Sequence, residues 1–373
     1  MRIMLVDLWA GGHNARYFDR FAMALSDHEV IAVAPQSVTD QRTVPVAASV
    51  SVPLARSAPA YGRPEESWDA SIRSEIALIG QVAAEHRPDL IVHLFADHLV
   101  PYGAELAAIA DTALLVLFPS GHYPDAFGSE LTAPEAERGR RLTADIAAFR
   151  AAPGAVCVFT LDPVAADALH DTSGAPALWL PEPWIAAAAP TGLPPGDNLL
   201  FYGALAHRKG FDRLADALLH KRGHPPLVVA GWVEQHGYQA ELAERIEQLG
   251  AAGVPVDLRL GRLDEQGCLD LLARSAVTVL PYPRHFGMSR VLLESAHTGT
   301  PVVVNSFGLL GHLVRTRGLG VATEVTDPSR LADALTEAAA LAGDQDFAQR
   351  CARFSADHAQ DRFVARLRSG LGL

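Results

Sequence analysis

The stretch from Val277 to Val304 constrains the fold more than any other part of the chain. Val277-Thr278-Val279-Leu280 is an apolar run suited to a buried parallel strand, and it ends in the turn Pro281-Tyr282-Pro283. The polar loop Arg284–Ser289 follows. Arg290–Thr298 has the composition of a helix, Gly299 is placed to cap its C-terminus, and Pro301 opens the β-branched run Val302-Val303-Val304. This order predicts one βαβ unit of an α/β sheet. The loop and the helix start then lie at the carboxyl edge of the strands, where ligands bind and where a helix N-terminus favours anions. Glu294 stands alone among Val291-Leu292-Leu293 and Ser295-Ala296. Two readings of it are open: the solvated face of an amphipathic helix, or an acceptor for two neighbouring hydroxyls such as a ribose diol.

A chain of 373 residues with 49% hydrophobic content can bury two cores. Its 31 Lys and Arg against 43 Asp and Glu give a net charge of −12, which argues against nucleic acid as the main partner. A local basic pocket for an anionic ligand remains compatible with that balance. Cys157, Cys268 and Cys351 are far apart, with neither metal-ligand spacing nor a disulfide framework, which fits a reducing compartment. No segment has the length of a membrane span, and Met1–Asp7 reads as a short strand and not a signal peptide. The expectation is a soluble, cytoplasmic protein without stable membrane insertion, oligomeric state open.

The first half opens with the apolar run Ile3–Val6, then Gly11-Gly12-His13-Asn14, a helix over Tyr17–Leu25 and a strand over Val30–Val33, as a doubly wound domain does. Gly11 and Gly12 fit either close backbone approach to a ligand or a tight turn without one. A helix is expected over Trp68–Arg87 and another around Gly103–Ala110. The run Leu90–Phe95, which contains His93, leads to Asp97 and His98; Ala113–Phe118 leads to His122 and Tyr123; Val156–Thr160 is one further strand. His13, Asp97, His98 and His122 each follow a strand, so they could line one cleft, although each alone also fits a structural or exposed role.

Pro- and Ala-rich sequence from Leu180 to Asp197 reads as a linker. A second doubly wound pattern starts with the strand Leu199–Tyr202, the turn Gly203–Gly210 and the helix Phe211–Leu219. It continues with the strand Leu227–Gly231, the helix Tyr238–Leu249, the strand Val256–Leu260 and a helix over Glu265–Ala273 with Asp264 as N-cap. Arg208-Lys209 places a fork donor beside a point charge in a glycine-bounded turn, a combination suited to a diphosphate; a solvated surface pair is the alternative.

On these residues the second half resembles the retaining nucleotide-sugar glycosyltransferases of the GT-B fold (glycosyl transferases group 1, family 4-like). The matches are the Gly203–Gly210 turn with Arg208-Lys209, Val228-Val229-Ala230-Gly231, Gly261-Arg262-Leu263, Leu280-Pro281-Tyr282 and Leu293-Glu294-Ser295-Ala296 running into Gly299-Thr300-Pro301-Val302-Val303. The resemblance implies an α/β protein with two doubly wound Rossmann-like domains facing each other across a cleft. An acceptor domain would span 1–183, a donor domain 184–355, and a helix in 356–373 would cross back to the first. It also implies transfer of a hexosyl or related group from a nucleoside diphosphate sugar to a small-molecule or glycan acceptor, with retention and without cofactor or metal.

Donor contacts are then expected at Gly12, Gly203, Arg208, Lys209, Arg262, Leu263, His285, Gly287, Met288, Ser289, Arg290 and Glu294, with Glu294 on the ribose. Acceptor contacts are expected at His13, His93, His98, His122 and Tyr123. Catalysis is assigned to Arg208 and Lys209, which stabilise the leaving diphosphate, and to His13 and Asp97, which orient the acceptor or sugar. One departure stands out. Phe286 occupies the place of the family's first loop Glu, and Ser289 that of the loop's last Gly, with His285, Ser289 and Arg290 the candidates to compensate. The alternatives are a non-catalytic sugar-nucleotide-binding protein, or an epimerase or phosphorylase on the same fold.

Overall fold

A computed structural model describes residues 1–8, 14–52, 65–117, 131–170, 176–182, 196–235 and 237–373. These form two compact units, one from the described residues up to 182 together with Gln360–Leu373, the other from those within Ile185–Ala359. In the first unit the order is β1 (Arg2–Val6), α1 (Asn14–Ala24), β2 (Glu29–Pro35), α2 (Gln36–Thr39), β3 (Ala48–Val52), α3 (Glu65–His86) and β4 (Leu90–His93). It continues with α4 (Gly103–Ala107), β5 (Asp111–Val116), α5 (Ala133–Arg150), β6 (Ala155–Thr160), α6 (Pro163–His170) and β7 (Ala177–Trp179). The strands pair in parallel in the order β3-β2-β1-β4-β5-β6-β7.

The second unit carries β8 (Asn198–Leu205), α7 (Phe211–His220), β9 (Leu227–Val233), α8 (Tyr238–Ala251), β10 (Val256–Leu260), α9 (Glu265–Ala273) and β11 (Ser275–Leu280). After these come α10 (Arg290–Thr298), β12 (Val302–Asn305), α11 (Gly308–Arg317), β13 (Gly320–Thr323), α12 (Pro328–Ala339) and α13 (Gln345–Asp357). Its parallel order is β10-β9-β8-β11-β12-β13, the doubly wound arrangement expected from the sequence. α14 (Gln360–Leu371) returns to the first unit.

Strands covered on both faces need apolar residues throughout, because successive side chains point to opposite sides. In β1, Ile3 and Leu5 join a cluster with Phe18 and Phe21, whereas Met4 and Val6 join the opposite cluster with Ile79 and Val82. Phe363, Leu367 and Leu371 of α14 complete the first cluster, and the Phe363 ring meets Phe21 edge-on at 5.3 Å. Arg368 fixes the same helix by two hydrogen bonds to the Asp27 carboxylate, at 2.6 and 2.9 Å. No helix among the described residues is long and apolar enough to cross a membrane.

Several boundaries differ from the sequence expectation. β8 does not end at Tyr202 but runs to Leu205, and β9 runs to Val233. Gly203 lies opposite Gly231 in this ladder, so it sits inside a strand and not in the expected turn. A Cβ on Gly231 would fall 1.8 Å from the Gly203 carbonyl oxygen, which is why no larger residue fits. The strand expected over Leu90–Phe95 stops at His93, because Phe95 adopts a left-handed conformation with φ of 53° and turns the chain into Ala96–His98. The helix expected around Gly103–Ala110 closes at Ala107.

His93, expected among acceptor contacts, is 0% exposed in β4. Neither ring nitrogen has a hydrogen-bond partner among the described residues. Burial, with His98 adding to it, pulls its pKa from 6.5 down to about 3, so the ring is neutral in the folded chain. The unfolded chain then binds the proton more readily, and the stability this neutrality provides is present above pH 6.5 and lost as the pH falls toward 3. Moving from pH 7 to pH 5 should therefore cost the wild type about 2 kcal/mol more than His93→Leu, read as the change in urea-unfolding free energy.

Candidate functional site

The parallel strands of the second unit bring the ends of β8, β9, β10, β11 and β12 to one edge. Strand order reverses between β8 and β11, and the crevice beyond such a pair is where an open parallel sheet takes its ligand. After β8 the single turn His207–Lys209 leads to Gly210 and α7. Gly210 has φ of 71°, and a Cβ there would lie 2.1 Å from the Pro281 carbonyl oxygen. Glycine is what lets the turns after β8 and β11 touch.

This contact carries Lys209 across to the β11 side. Its Nζ lies 3.9 Å from the centroid of the Tyr282 ring, a cation–π contact. Arg208 turns the other way and donates to the Glu234 carboxylate just beyond β9. Both partners are more than two-fifths exposed, so the pair contributes about 0–1 kcal/mol and can give way to a stronger anion. The adjacent cations are thus divided between two neighbouring strand ends.

The loop before α10 is held from below. Asn305 Nδ2 donates to the carbonyls of Tyr282 and Pro283 at 3.1 and 2.6 Å. His285 Nε2 lies 3.1 Å from the Met288 carbonyl, which only accepts, so Nε2 carries the proton. Burial pulls the His285 pKa down to about 4; the Met288 bond opposes this, while Lys209 and then Arg208 add to it. At neutral pH the ring is uncharged and presents Nδ1 as an acceptor. Gly287 and Ser289 are buried and Met288 half-buried. Phe286 packs edge-on against Phe307 at 4.9 Å, and the Arg284 guanidinium lies 4.5 Å from the Phe307 ring.

Helix α10 begins at Ser289, whose side chain makes no capping hydrogen bond, and ends at Gly299 as expected. A cation at a helix start opposes the dipole, and Arg290 is held there by two carboxylates. Its Nε donates to Glu294 Oε1 at 2.7 Å and its Nη2 to Glu265 Oε1 at 3.3 Å. Glu294 is 4% exposed, which excludes the solvated-face reading. Beside it, Tyr202 donates to Cys268 Sγ at 2.7 Å; burial and then the Glu294 charge push the phenol pKa up. Cys268 Sγ in turn lies 4.0 Å from the Leu263 carbonyl. Arg262 stacks at 4.5 Å on the Trp232 ring at the end of β9, and Asp264 caps α9 by accepting from the Gly267 amide at 2.7 Å, as expected.

Of the expected donor residues, Gly203, Arg208, Lys209, Arg262, Leu263, His285, Gly287, Met288, Ser289, Arg290 and Glu294 are gathered at this edge. Gly12, His13, His122 and Tyr123 lie outside the described residues. In the first unit Asp97 accepts the Leu117 amide through both carboxylate oxygens, at 3.2 and 3.0 Å, tying the turn after β4 to the end of β5. His98 Nε2 lies 3.0 Å from Glu75 Oε1. Sequence reasoning missed Trp232, Glu234, Glu265 and Asn305. Trp232 follows the motif glycine Gly231 directly and Glu234 lies three residues after it, which is the one signal that marks them.

The family described as glycosyl transferases group 1 matches residues 196–340. No functionally curated protein matches the chain in sequence. Among solved structures, HepE from Anabaena, in complex with UDP and glucose, is 16% identical, with a TM-score of 0.67 over 100% of this chain and 99% of that one. Sucrose-phosphate synthase from Thermosynechococcus elongatus is 16% identical, with a TM-score of 0.68 over 99% and 97%. The α,α-trehalose 6-phosphate synthase from Burkholderia multivorans is 14% identical, with a TM-score of 0.68 over 100% and 98%. The chain shares the two-unit α/β fold of these proteins. Gly210→Ala should destabilise the second unit by about 1–3 kcal/mol, since it sets a side chain against the Pro281 carbonyl at positive φ; urea unfolding measures the loss.

Proposed function

We propose, from the premise that residues 196–340 form a group 1 glycosyl transferase domain, that this chain moves a glycosyl group from a nucleoside diphosphate sugar to a small-molecule or glycan acceptor with retention. What supports this above all is Glu294, a buried carboxylate fixed by Arg290 in the helix that starts, without a capping bond from Ser289, beyond the loop that holds His285 near Lys209. Anion-seeking and hydroxyl-seeking groups side by side suit a nucleoside diphosphate, which presents phosphates next to a ribose diol.

In this reading the diphosphate lies against the start of α10 and Lys209, and Arg208 exchanges Glu234 for a phosphate oxygen. Glu294 accepts from the ribose hydroxyls, and the Arg262–Trp232 stack with Leu263 borders the base. The anomeric carbon–oxygen bond to the diphosphate breaks as the acceptor oxygen bonds to the same face, and the acceptor's proton passes to the leaving phosphate oxygen. Lys209, Arg208 and the helix dipole stabilise that oxygen electrostatically in place of a divalent ion. The first unit takes the acceptor, with His13 or Asp97 orienting it. The free, buried cysteines Cys157, Cys268 and Cys351 fit a cytoplasmic location. Phe286 packed on Phe307, where related loops carry Glu, favours a second reading: a protein that binds the donor without transferring the sugar.

A thermal-shift panel of nucleoside diphosphates and their sugars, starting with UDP because HepE holds it, tests the donor site. A ligand at one hundred times its Kd should add about 2.7 kcal/mol of stability. Glu294→Gln and Lys209→Ala should each weaken binding about tenfold, or about 1.4 kcal/mol. No shift with any nucleotide, in a folded protein, sinks the reading. Tight binding without hydrolysis or transfer establishes the second one.

A further inference from the structure

We infer that the outer edge of β10 is an interface between two copies of this chain. β10 is an edge strand of the second sheet, and most of it is exposed. Leu258 and Leu260, exposed by 39% and 45%, are two of the five exposed large apolar side chains among the described residues. A bare edge with apolar side chains is a template for another strand.

The ladder fixes which backbone groups are available. Leu227 donates its amide to the Pro255 carbonyl at 2.9 Å, and the Gly261 amide donates to the Gly231 carbonyl at 2.8 Å. Odd-numbered residues of β10 therefore face β9, and by alternation the N–H and C=O groups of Val256, Leu258 and Leu260 point outward. An antiparallel pair of copies related by a two-fold axis at Leu258 would exchange both hydrogen bonds there, as a closed, isologous dimer requires. Val256 then faces the partner's Leu260 and Leu258 faces the partner's Leu258 on one side of the sheet. Asp257 faces the partner's Arg259 on the other.

Charge selects this register. Asp257 and Arg259 are both exposed and bond each other along their own strand, at 2.8 and 2.6 Å. In the pairing about Leu258 they occupy non-hydrogen-bonded positions, about 4.5 Å apart between Cα atoms, and form two further ion pairs across the axis. Centring the axis on Asp257 or on Arg259 would set like charges face to face. The strands then pair over the length of β10, Val256–Leu260. The inference stands independently of the donor site.

Sedimentation equilibrium across the micromolar range tests it. The wild type should pass from 39.8 kDa toward twice that mass. Arg259→Asp should weaken the dimer at least tenfold, and Asp257→Arg with Arg259→Asp should restore it, because opposite charges again face each other. Leu258→Pro removes the outward N–H at the axis without touching the β9 ladder, and should also leave a monomer. Circular dichroism establishes that each variant is folded. A wild type that stays at 39.8 kDa throughout overturns the proposal and leaves the edge to another partner or to water. A dimer indifferent to both charge reversal and Leu258→Pro overturns it as well.

Discussion

Glu294 is a charge taken out of water, and the arrangement of α9 and α10 at the carboxyl edge of the second sheet follows from how that charge is held. Burying an ion costs several kcal/mol, and removing its partner costs about 3–5 kcal/mol. Arg290, one helical turn before it, supplies the countercharge but has to sit at the positive end of α10 to do so. Glu265, from the start of α9, pairs with the same guanidinium and helps hold it at that helix end. The requirement to neutralise one carboxylate therefore binds two helices and fixes the carboxylate's direction before any ligand arrives. Preorganisation of that kind lowers the ordering cost of binding.

The sequence made the alternation of strands and helices legible because it depends on local signals: apolar runs long enough to be covered on both faces, Asp264 as a cap, Gly299 as a stop. Side-chain partners were another matter. Arg208 and Lys209 are neighbours in sequence, yet they part because each turns to a different strand end, Glu234 after β9 and Tyr282 after β11. No local pattern encodes that choice. The burial of Glu294 was equally hidden, since an ion pair with Arg290 four residues earlier looks the same on a solvated helix. Gly203 misled in the opposite sense. Gly203 reads as the start of a turn, and only its pairing with Gly231 shows that it lies inside a strand, while Gly231 is the one that lets the two backbones approach.

In the first unit, polar residues at strand ends first serve the chain itself. Asp97 is engaged by the Leu117 amide, and His98 by Glu75, a carboxylate that is itself buried. A backbone amide left without an acceptor inside a protein is expensive, so the polar residue nearest a strand end is often recruited to it. Polar residues after apolar runs are therefore weaker markers of a ligand site than the same residues beside a helix start. The α10 loop, which combines a helix start that Ser289 does not cap with Lys209, His285 and Glu294, carries more information than Asp97 and His98 of the first unit.

The return of α14 to the first unit makes the second a topological insertion. Phe363, Leu367 and Leu371 belong to the cluster that contains Phe18 and Phe21, although the whole second sheet lies between them in the chain. During synthesis the second unit has all of its strands and helices in hand while the first still lacks one wall of its core. Completion runs in reverse of translation. Until α14 docks, the Phe21 side of β1 and β6 lacks the apolar cover that Phe363, Leu367 and Leu371 supply, so the core of the first unit closes only with the last helix.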